Sequence, residues 1–379
     1  MNADPVAIEA AWAWIDANAA RLDGEDVDLA AAAGRVPASA SLASADLPAT
    51  ACALEDGYAI RAEETVGAAP YNPLPFLVAE LADHPIPPGT VGRVETGQSL
   101  PDGTDAVLPD DAVEPEGDCR IGVLTTVAEG ENVMSAGSEL RAGDALWPVE
   151  GRGRPLRPAH IGLLGAAGVR RLPVVRHPRA RILTTGIAKS LTPMLRALVE
   201  RDGGIVSGDR RGEGAPDLVA GADLVLVAGS IADGLETEIP SVAIEPGRET
   251  SLGRVDGTLV ALLPRLPAAC FWAYELLAGR AVRQMGGRAA GLPYGSRRLR
   301  TTRKIVSALG FAEVVAVRLD PEDVAVISPL PGGRAPRLRT AAEADGFTLV
   351  PAASEGCAAG SEITVWLFEP GAAWAAGRG

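Results

Sequence analysis

Ile8, Trp12, Ile15 and Ala19 recur at the spacing of one helical face, which predicts a helix from Pro5 to about Leu22, with Asp4-Pro5 as its N-cap and first-turn pair. From about Leu42 to Pro148 the pattern changes. Short apolar runs are divided by turn sequences such as Pro87-Pro88-Gly89, Asp102-Gly103 and Glu116-Gly117-Asp118, which predict a β-rich module. Ile161, Leu164 and Gly165 then mark a short helix at Pro158–Ala167.

The next stretch alternates strand and helix. Arg179–Thr185 reads as a buried strand, Leu191–Arg201 as an amphipathic helix, Ile205–Ser207 as a strand, and Asp223–Ala228 as a near-continuous apolar strand closed by Gly229. This alternation predicts a parallel sheet with right-handed crossovers, whose ligands sit at the C-terminal strand ends. Those ends are Thr184-Thr185-Gly186, Ala228-Gly229-Ser230 and Pro246-Gly247-Arg248. Each glycine equally reads as a simple strand terminator. After a helix at about Ala268–Met285, short strands at Glu313–Leu319, Val324–Ile327, Phe347–Pro351 and Glu362–Phe368 predict a small all-β module.

Length and charge narrow the function classes. The 379 residues are enough for two to four domains. Against 35 basic residues stand 49 acidic ones, a formal charge of −14, which argues against a broad nucleic-acid-binding face. The start Met1-Asn2-Ala3-Asp4-Pro5 lacks the basic region of a signal peptide. The most apolar run, Leu224–Ala232, is too short for a bilayer, so a cytoplasmic protein is expected. Cys52, Cys119, Cys270 and Cys357 are scattered and there are three histidines, so neither a disulfide framework nor a zinc site is indicated. The cluster Arg170, Arg171, Arg176, Arg179, Arg181 with Arg210-Arg211 reads either as an anion receiver or as a surface paired with carboxylates; the abundance of acids favours pairing.

Three motif groups go further. The first is Leu47-Pro48 followed by Leu54-Glu55-Asp56-Gly57-Tyr58-Ala59-Ile60. The second is Pro88-Gly89 followed by Glu95-Thr96-Gly97-Gln98-Ser99-Leu100-Pro101-Asp102-Gly103-Thr104-Asp105. The third is Thr302-Arg303-Lys304-Ile305-Val306-Ser307-Ala308-Leu309-Gly310, continued by Glu343-Ala344-Asp345-Gly346-Phe347 and Glu355-Gly356-Cys357. In this order and spacing they resemble the MoeA family of molybdopterin molybdenumtransferases, which includes the gephyrin E domain. The resemblance implies an α/β multidomain fold in an elongated subunit. Its parts would be a discontinuous helical linker domain (1–45 and 136–172), a β-rich insert (46–135), a shortened three-layer α/β molybdopterin-binding domain (173–289) and a C-terminal β-barrel-like domain (290–379). It also implies a homodimer, molybdopterin or its adenylylated form as ligand, and Mg²⁺ beside the pyrophosphate. Family members cleave AMP from that ligand and insert molybdate into the dithiolene. The positions it marks for the ligand are Asp56, Gly57, Tyr58, Thr96, Gly97, Thr185, Gly186, Gly229, Ser230, Pro246, Gly247 and Arg248, with Glu139 as the surviving catalytic carboxylate.

The chain departs from that family where acids are expected. Ala51 stands in place of an aspartate, and Thr185-Gly186-Ile187-Ala188-Lys189 in place of Thr-Gly-Asp-Glu-Leu. Leu263-Pro264-Arg265-Leu266-Pro267 replaces Leu-Pro-Gly-Asn-Pro. Metal ligands are therefore left unassigned, with Glu139, Asp209 and Asp233 as the acids able to rebuild a site. Two functions stay open: a molybdenumtransferase with an altered site, or a catalytically silent paralogue that carries cofactor to a molybdoenzyme client or pairs with a competent MoeA copy. Neither nucleic acid nor membrane is an expected partner.

Overall fold

Leu224–Ala228 is buried at every position, as expected for a strand covered on both faces. In the computed structural model, which describes residues 4–79, 85–117, 119–147, 153–184, 186–207, 219–229, 237–331 and 337–368, it is the centre of a five-stranded sheet. The order runs Ile205–Val206, Arg179–Thr184, Leu224–Ala228, Thr258–Leu263, Ser251–Val255. The first four are parallel and the last is antiparallel. Leu224, Leu226 and Ala228 face the main core, built with helices α1 (Ile8–Asn18), α2 (Thr192–Arg201) and α3 (Pro267–Ala273), while Val225 and Val227 face Val219 and Val260. The closing hairpin turns at Asp256-Gly257, where both residues take positive φ (48° and 80°). That is the two-residue turn whose twist suits paired strands.

Helix α1 starts at Ile8, later than its pattern predicts, because Val6 pairs as a β-bridge with Val242 and holds the preceding residues extended. Its buried face, Ile8, Ala11 and Ile15, joins the α/β core, with Trp12 Nε1 donating to the Leu276 carbonyl at 2.7 Å and Asp16 paired to Arg280 at 2.6 Å. Side-chain packing thus sets this helix against the α/β sheet. The strand Gly24–Asp28 pairs antiparallel with Arg171–Val175, and the helix Pro158–Ala166 packs beside them through Leu164.

The insert is a six-stranded sheet in the order Ala106–Pro109, Gly57–Ile60, Thr90–Val94, Leu74–Ala79, Arg120–Val123, Val113–Pro115. Ile60, Phe76, Val91, Leu108 and Val123 form its own core. The C-terminal strands close a barrel: Ala312–Leu319, Val326–Pro329, Gly295–Thr301, Glu362–Leu367 and Gly346–Val350 pair in turn, and the last returns to the first. Leu299, Val317, Ile327, Val365 and Leu367 fill it.

Two features bind the barrel to the α/β unit. Ile244–Glu245 leaves the α/β unit and pairs parallel with Ala312–Glu313 of the barrel. Phe271 and Trp272 of α3 meet Tyr294, Phe347, Trp366 and Phe368 in a seam of rings whose centroids lie 4.8–6.5 Å apart. Such pairs contribute about 0.5–1.5 kcal/mol each beyond their buried area.

Beneath that seam lies a charged network. Helix α3 continues through a π-helical turn, Tyr274–Ala278, into Gly279–Met285. Glu275 in that turn and Asp202 after α2 are both fully buried. Arg201 contacts Glu275 at 2.6 Å and Asp202 at 3.0 Å, Arg283 contacts Asp202 at 2.7 Å, and the Tyr294 hydroxyl donates to Glu275 at 2.7 Å. Two cations face two anions, so the buried set is neutral. Burial alone would lower the Arg201 pKa, but its hydrogen bonds to Glu275 and Asp202 outweigh that and raise it.

Candidate functional site

The parallel strands end level: Thr184, Ala228 and Leu263 are register partners across the sheet. Each therefore delivers the residues that follow to one edge. After Ala228 comes Gly229 at φ 128°, a backbone shape that side chains resist. Thr184 Oγ1 lies 2.9 Å from Thr192 Oγ1, which ties the strand end to the first turn of α2. Leu263 leads through exposed Arg265 into α3. Thr185 and Ser230 lie outside the described residues; the backbone of Gly186 opens the 3₁₀ segment Gly186–Leu191.

Pro246, Gly247 and Arg248 form a tight loop at the junction with the barrel. Gly247 has φ 128°, and a Cβ there would fall 3.0 Å from Ile244 Cδ1. Buried Thr250 pins the loop by donating to the Gly247 carbonyl at 2.6 Å. The Arg248 guanidinium sits 5.6 Å from the centre of the Phe311 ring. Beside Pro246 a cleft with room for about 60 Å³ opens between α/β unit and barrel, lined by Glu245, Trp272, Glu313, Arg337 and Thr340. Glu245 and Glu313 are register partners on adjacent strands. Burial pushes the Glu245 carboxyl above the usual range; Arg248 opposes this, and Glu313 and Glu249 reinforce it. None of the cleft's barrel-side residues was legible as a site residue, because the pairing that brings them together spans two distant segments.

The insert residues form a second group. Asp56 Oδ1 accepts from the Thr96 backbone N–H at 2.7 Å and from Thr96 Oγ1 at 2.8 Å, closing the turn that Gly97 makes at φ 82°. The Tyr58 ring carries the Arg93 guanidinium at 5.0 Å, and Arg93 is paired in turn with Asp110. Gly57 is required sterically, since a Cβ would stand 2.0 Å from the Leu108 carbonyl oxygen. Glu139 is exposed in the linker region, its N–H bonded to the Leu47 carbonyl at 3.0 Å. Among the described residues no hydrogen bond or ion pair joins Asp56–Gly97 or Glu139 to the sheet edge. The marked positions that are described thus fall in separate places: Asp56, Thr96 and Gly97 in an insert turn, Gly229 at the sheet edge, Glu139 in the linker, and Pro246–Arg248 after Ile244–Glu245, which joins the barrel sheet and not, as expected, the parallel one, whose next strand is Thr258–Leu263.

The Thr96 backbone hydrogen bond, then its hydroxyl, and lastly Arg93 hold the Asp56 carboxyl below its ordinary value of 3.8, against a small opposing effect of desolvation. A depressed folded pKa stabilises the fold above the unfolded value and loses that contribution as pH falls through the folded one. An NMR titration of the Asp56 carboxyl is expected to show a midpoint below 3.8, and Thr96→Val to move it back up.

A hard divalent cation needs several oxygen ligands, usually carboxylates. Among the described residues no group of three or more His, Cys, Asp or Glu is placed to hold a metal ion. Cys52, beside Ala51, turns its thiol to the Thr50 carbonyl at 3.2 Å, and Ala188 is buried. The described residues thus do not fit a Mg²⁺ site; Asp209 and Asp233 lie outside them. Two arginines of the cluster are paired with carboxylates: Arg171 with Asp26 and Asp28 at 2.7 Å, Arg176 with Asp223 at 2.6 Å. Arg210 and Arg211 lie outside the described residues.

A six-stranded insert, a mostly parallel five-stranded sheet and a closed barrel sewn to it define a multidomain α/β protein. The comparisons with known proteins agree with that architecture. The MoeA N-terminal region (domain I and II) matches residues 6–168, and the MoeA C-terminal region (domain IV) matches 298–368. A relative from Mycobacterium tuberculosis, molybdopterin molybdenumtransferase 2, is 28% identical over 391 residues, covering 90% of this chain and 94% of its own. The molybdopterin molybdenumtransferase of Staphylococcus aureus is 25% identical, with 88% of each chain covered. The crystal structure of the molybdopterin biosynthesis moeA protein from Pyrococcus horikoshii superposes with a TM-score of 0.79 at 26% identity, over 96% of this chain and all of that one. The chain belongs to the MoeA family. None of the helices among its described residues is long and apolar enough to cross a membrane.

Proposed function

We propose that this chain serves molybdenum cofactor assembly by binding molybdopterin, or its adenylylated form, along the C-terminal edge of its parallel sheet. The observation that carries this reading is the level ending of Thr184, Ala228 and Leu263, from which the chain continues through Gly229 on one strand and through Pro264 to exposed Arg265 on the next. Gly229 leaves room for a ligand to approach the backbone, and the Arg248 and Arg265 guanidinium groups suit a phosphate, which planar five-donor groups bind in pairs of hydrogen bonds. A second reading, a carrier without transferase activity, is suggested by Ala51, Ile187 and Ala188 standing where the family resemblance expects acids.

Titrating the purified chain with molybdopterin, followed by fluorescence, tests the proposal. Saturable binding is expected, and Arg265→Ala is expected to weaken it about tenfold, the loss of one charge-assisted contact worth about 1.4 kcal/mol. Absence of saturable binding to either form of the ligand overturns it. Release of AMP from the adenylylated form in a single turnover with Mg²⁺ and molybdate separates transferase from carrier.

A further inference from the structure

In a chain of net charge −14, residues 297–304 contain five cations and no acid: Arg297, Arg298, Arg300, Arg303 and Lys304. All five are exposed. Arg298 and Arg300 alternate with inward-facing Leu299, so they project from the outer face of the barrel strand Gly295–Thr301. Arg303 and Lys304 continue the run beyond its end.

Several arginines of this protein are neutralised at close range. Arg171, Arg176, Arg280 and Arg339 hold carboxylates at 2.6–2.7 Å. On the barrel strand the pairs are loose: Arg298 is 3.9 Å from Glu362 and Arg300 is 3.7 Å from Asp323, with both partners exposed. Solvent-exposed pairs this loose add little to stability. Arg297, Arg303 and Lys304 have no ion pair among the described residues. Just past them, Val306 and Leu309 are 67% and 57% exposed. Among the described residues the cations thus have only loose partners, and two exposed apolar side chains follow within five residues of Lys304.

We infer that this face of the barrel docks an acidic segment of another protein, one that also offers apolar side chains to Val306 and Leu309. The charge is complementary to an acidic partner, and the apolar flank separates that partner from a nucleic acid, whose phosphate backbone gains little from valine and leucine. Opposed charge steers the encounter and a small apolar contact prolongs it. None of these residues is among those proposed to bind the ligand, so either proposal can fail without the other.

The test uses the full chain and four labelled probes, read by fluorescence anisotropy. The probes are a peptide alternating Glu and Leu, its Gln/Leu and Glu/Ser counterparts, and a single-stranded oligonucleotide of equal negative charge. The Glu/Leu peptide is expected to bind best, to weaken with added salt, and to lose about tenfold in affinity in Arg303→Ser/Lys304→Ser, roughly the worth of two solvent-facing cations at an interface. Leu309→Ser is expected to weaken the Glu/Leu peptide but not the Glu/Ser one. Because Lys304 is one of two lysines in the chain, carbodiimide should couple its amine to the peptide's carboxylates. Lys304→Arg should keep the affinity and abolish that coupling, which guards against a folding artefact. Equal binding by the double variant, tighter binding of the oligonucleotide, no binding of any probe, or salt-sensitive self-association through the same residues would each overturn the inference.

Discussion

Replacing Gly279 with alanine is expected to lower the unfolding free energy by about 3 kcal/mol, the lower end of what breaking a buried ion pair costs. A Cβ at this position would fall 2.6 Å from Asp202 Oδ2, 2.8 Å from Arg283 Nη1 and 2.9 Å from Tyr274 Cε1. None of these can step aside cheaply. Asp202 is fully buried and shared by Arg201 and Arg283, so displacing it leaves buried Arg283 short of its carboxylate partner, while Arg201 keeps Glu275. Helix propensity works the other way, favouring alanine over glycine by about 1 kcal/mol. The sign of the measured change therefore decides between the two effects. Urea unfolding of the wild-type and variant chains reads it directly, and a neutral or stabilised variant would show that the network yields where we expect it to hold. Asp202→Asn, which keeps shape and removes charge, should also destabilise, because Arg283 would then be buried without a counter-charge.

The second large effect concerns the Asp-Gly-Tyr motif. Gly57→Ala should destabilise the insert by about 3 kcal/mol, the upper range for forcing atoms into a packed site. The obstruction is backbone: the Leu108 carbonyl oxygen would lie 2.0 Å from the new carbon, in a strand that pairs with residues 57–60 throughout. Gly97 gives the internal comparison. Its Cβ would meet open space, so only its positive φ of 82° resists substitution, at about 1 kcal/mol. Thermal unfolding should rank the two in that order, with ligand affinity per folded molecule unchanged in Gly57→Ala. A well-folded Gly57→Ala chain that has lost its ligand would instead make the motif a binding element.

The same close approach explains other motif glycines. A Cβ at Gly346 would stand 2.2 Å from the Trp366 carbonyl oxygen, and one at Gly356 would stand 2.0 Å from that of Ile305. Much of what makes the chain recognisable from its sequence is therefore a record of strands touching, and less of ligand contact. That is why the fold was more legible than the site. The all-apolar run Leu224–Ala228 and the strand-terminating Gly229 announce a parallel sheet without help from the rest of the chain.

Other features were out of reach for local patterns. The hairpin Ser251–Leu263 went unread although Asp256-Gly257 is a strong turn signal between apolar runs. The strand expected at Val324–Ile327 begins at Val326, because Asp320 and Asp323 fold the preceding residues into a side-chain-capped turn. The neutral set of Arg201, Asp202, Glu275 and Arg283 depends on two distant segments meeting, the end of α2 and the helix that continues α3. In sequence each member looks like an ordinary surface charge on a helix.

The ring of aromatic contacts between α3 and the barrel bears on how such proteins can diverge. Trp272 lies 4.9 Å from Phe347, and Phe347 lies 5.6 Å from Trp366, so the two units share one set of side chains across their border. A barrel borrowed from a relative would arrive with rings shaped for a different helix. Change on one side of the border has to be answered on the other, and the barrel is inherited together with α3 or not at all. The insert, which buries its own core, is under no such obligation and is the part of the molecule free to be exchanged.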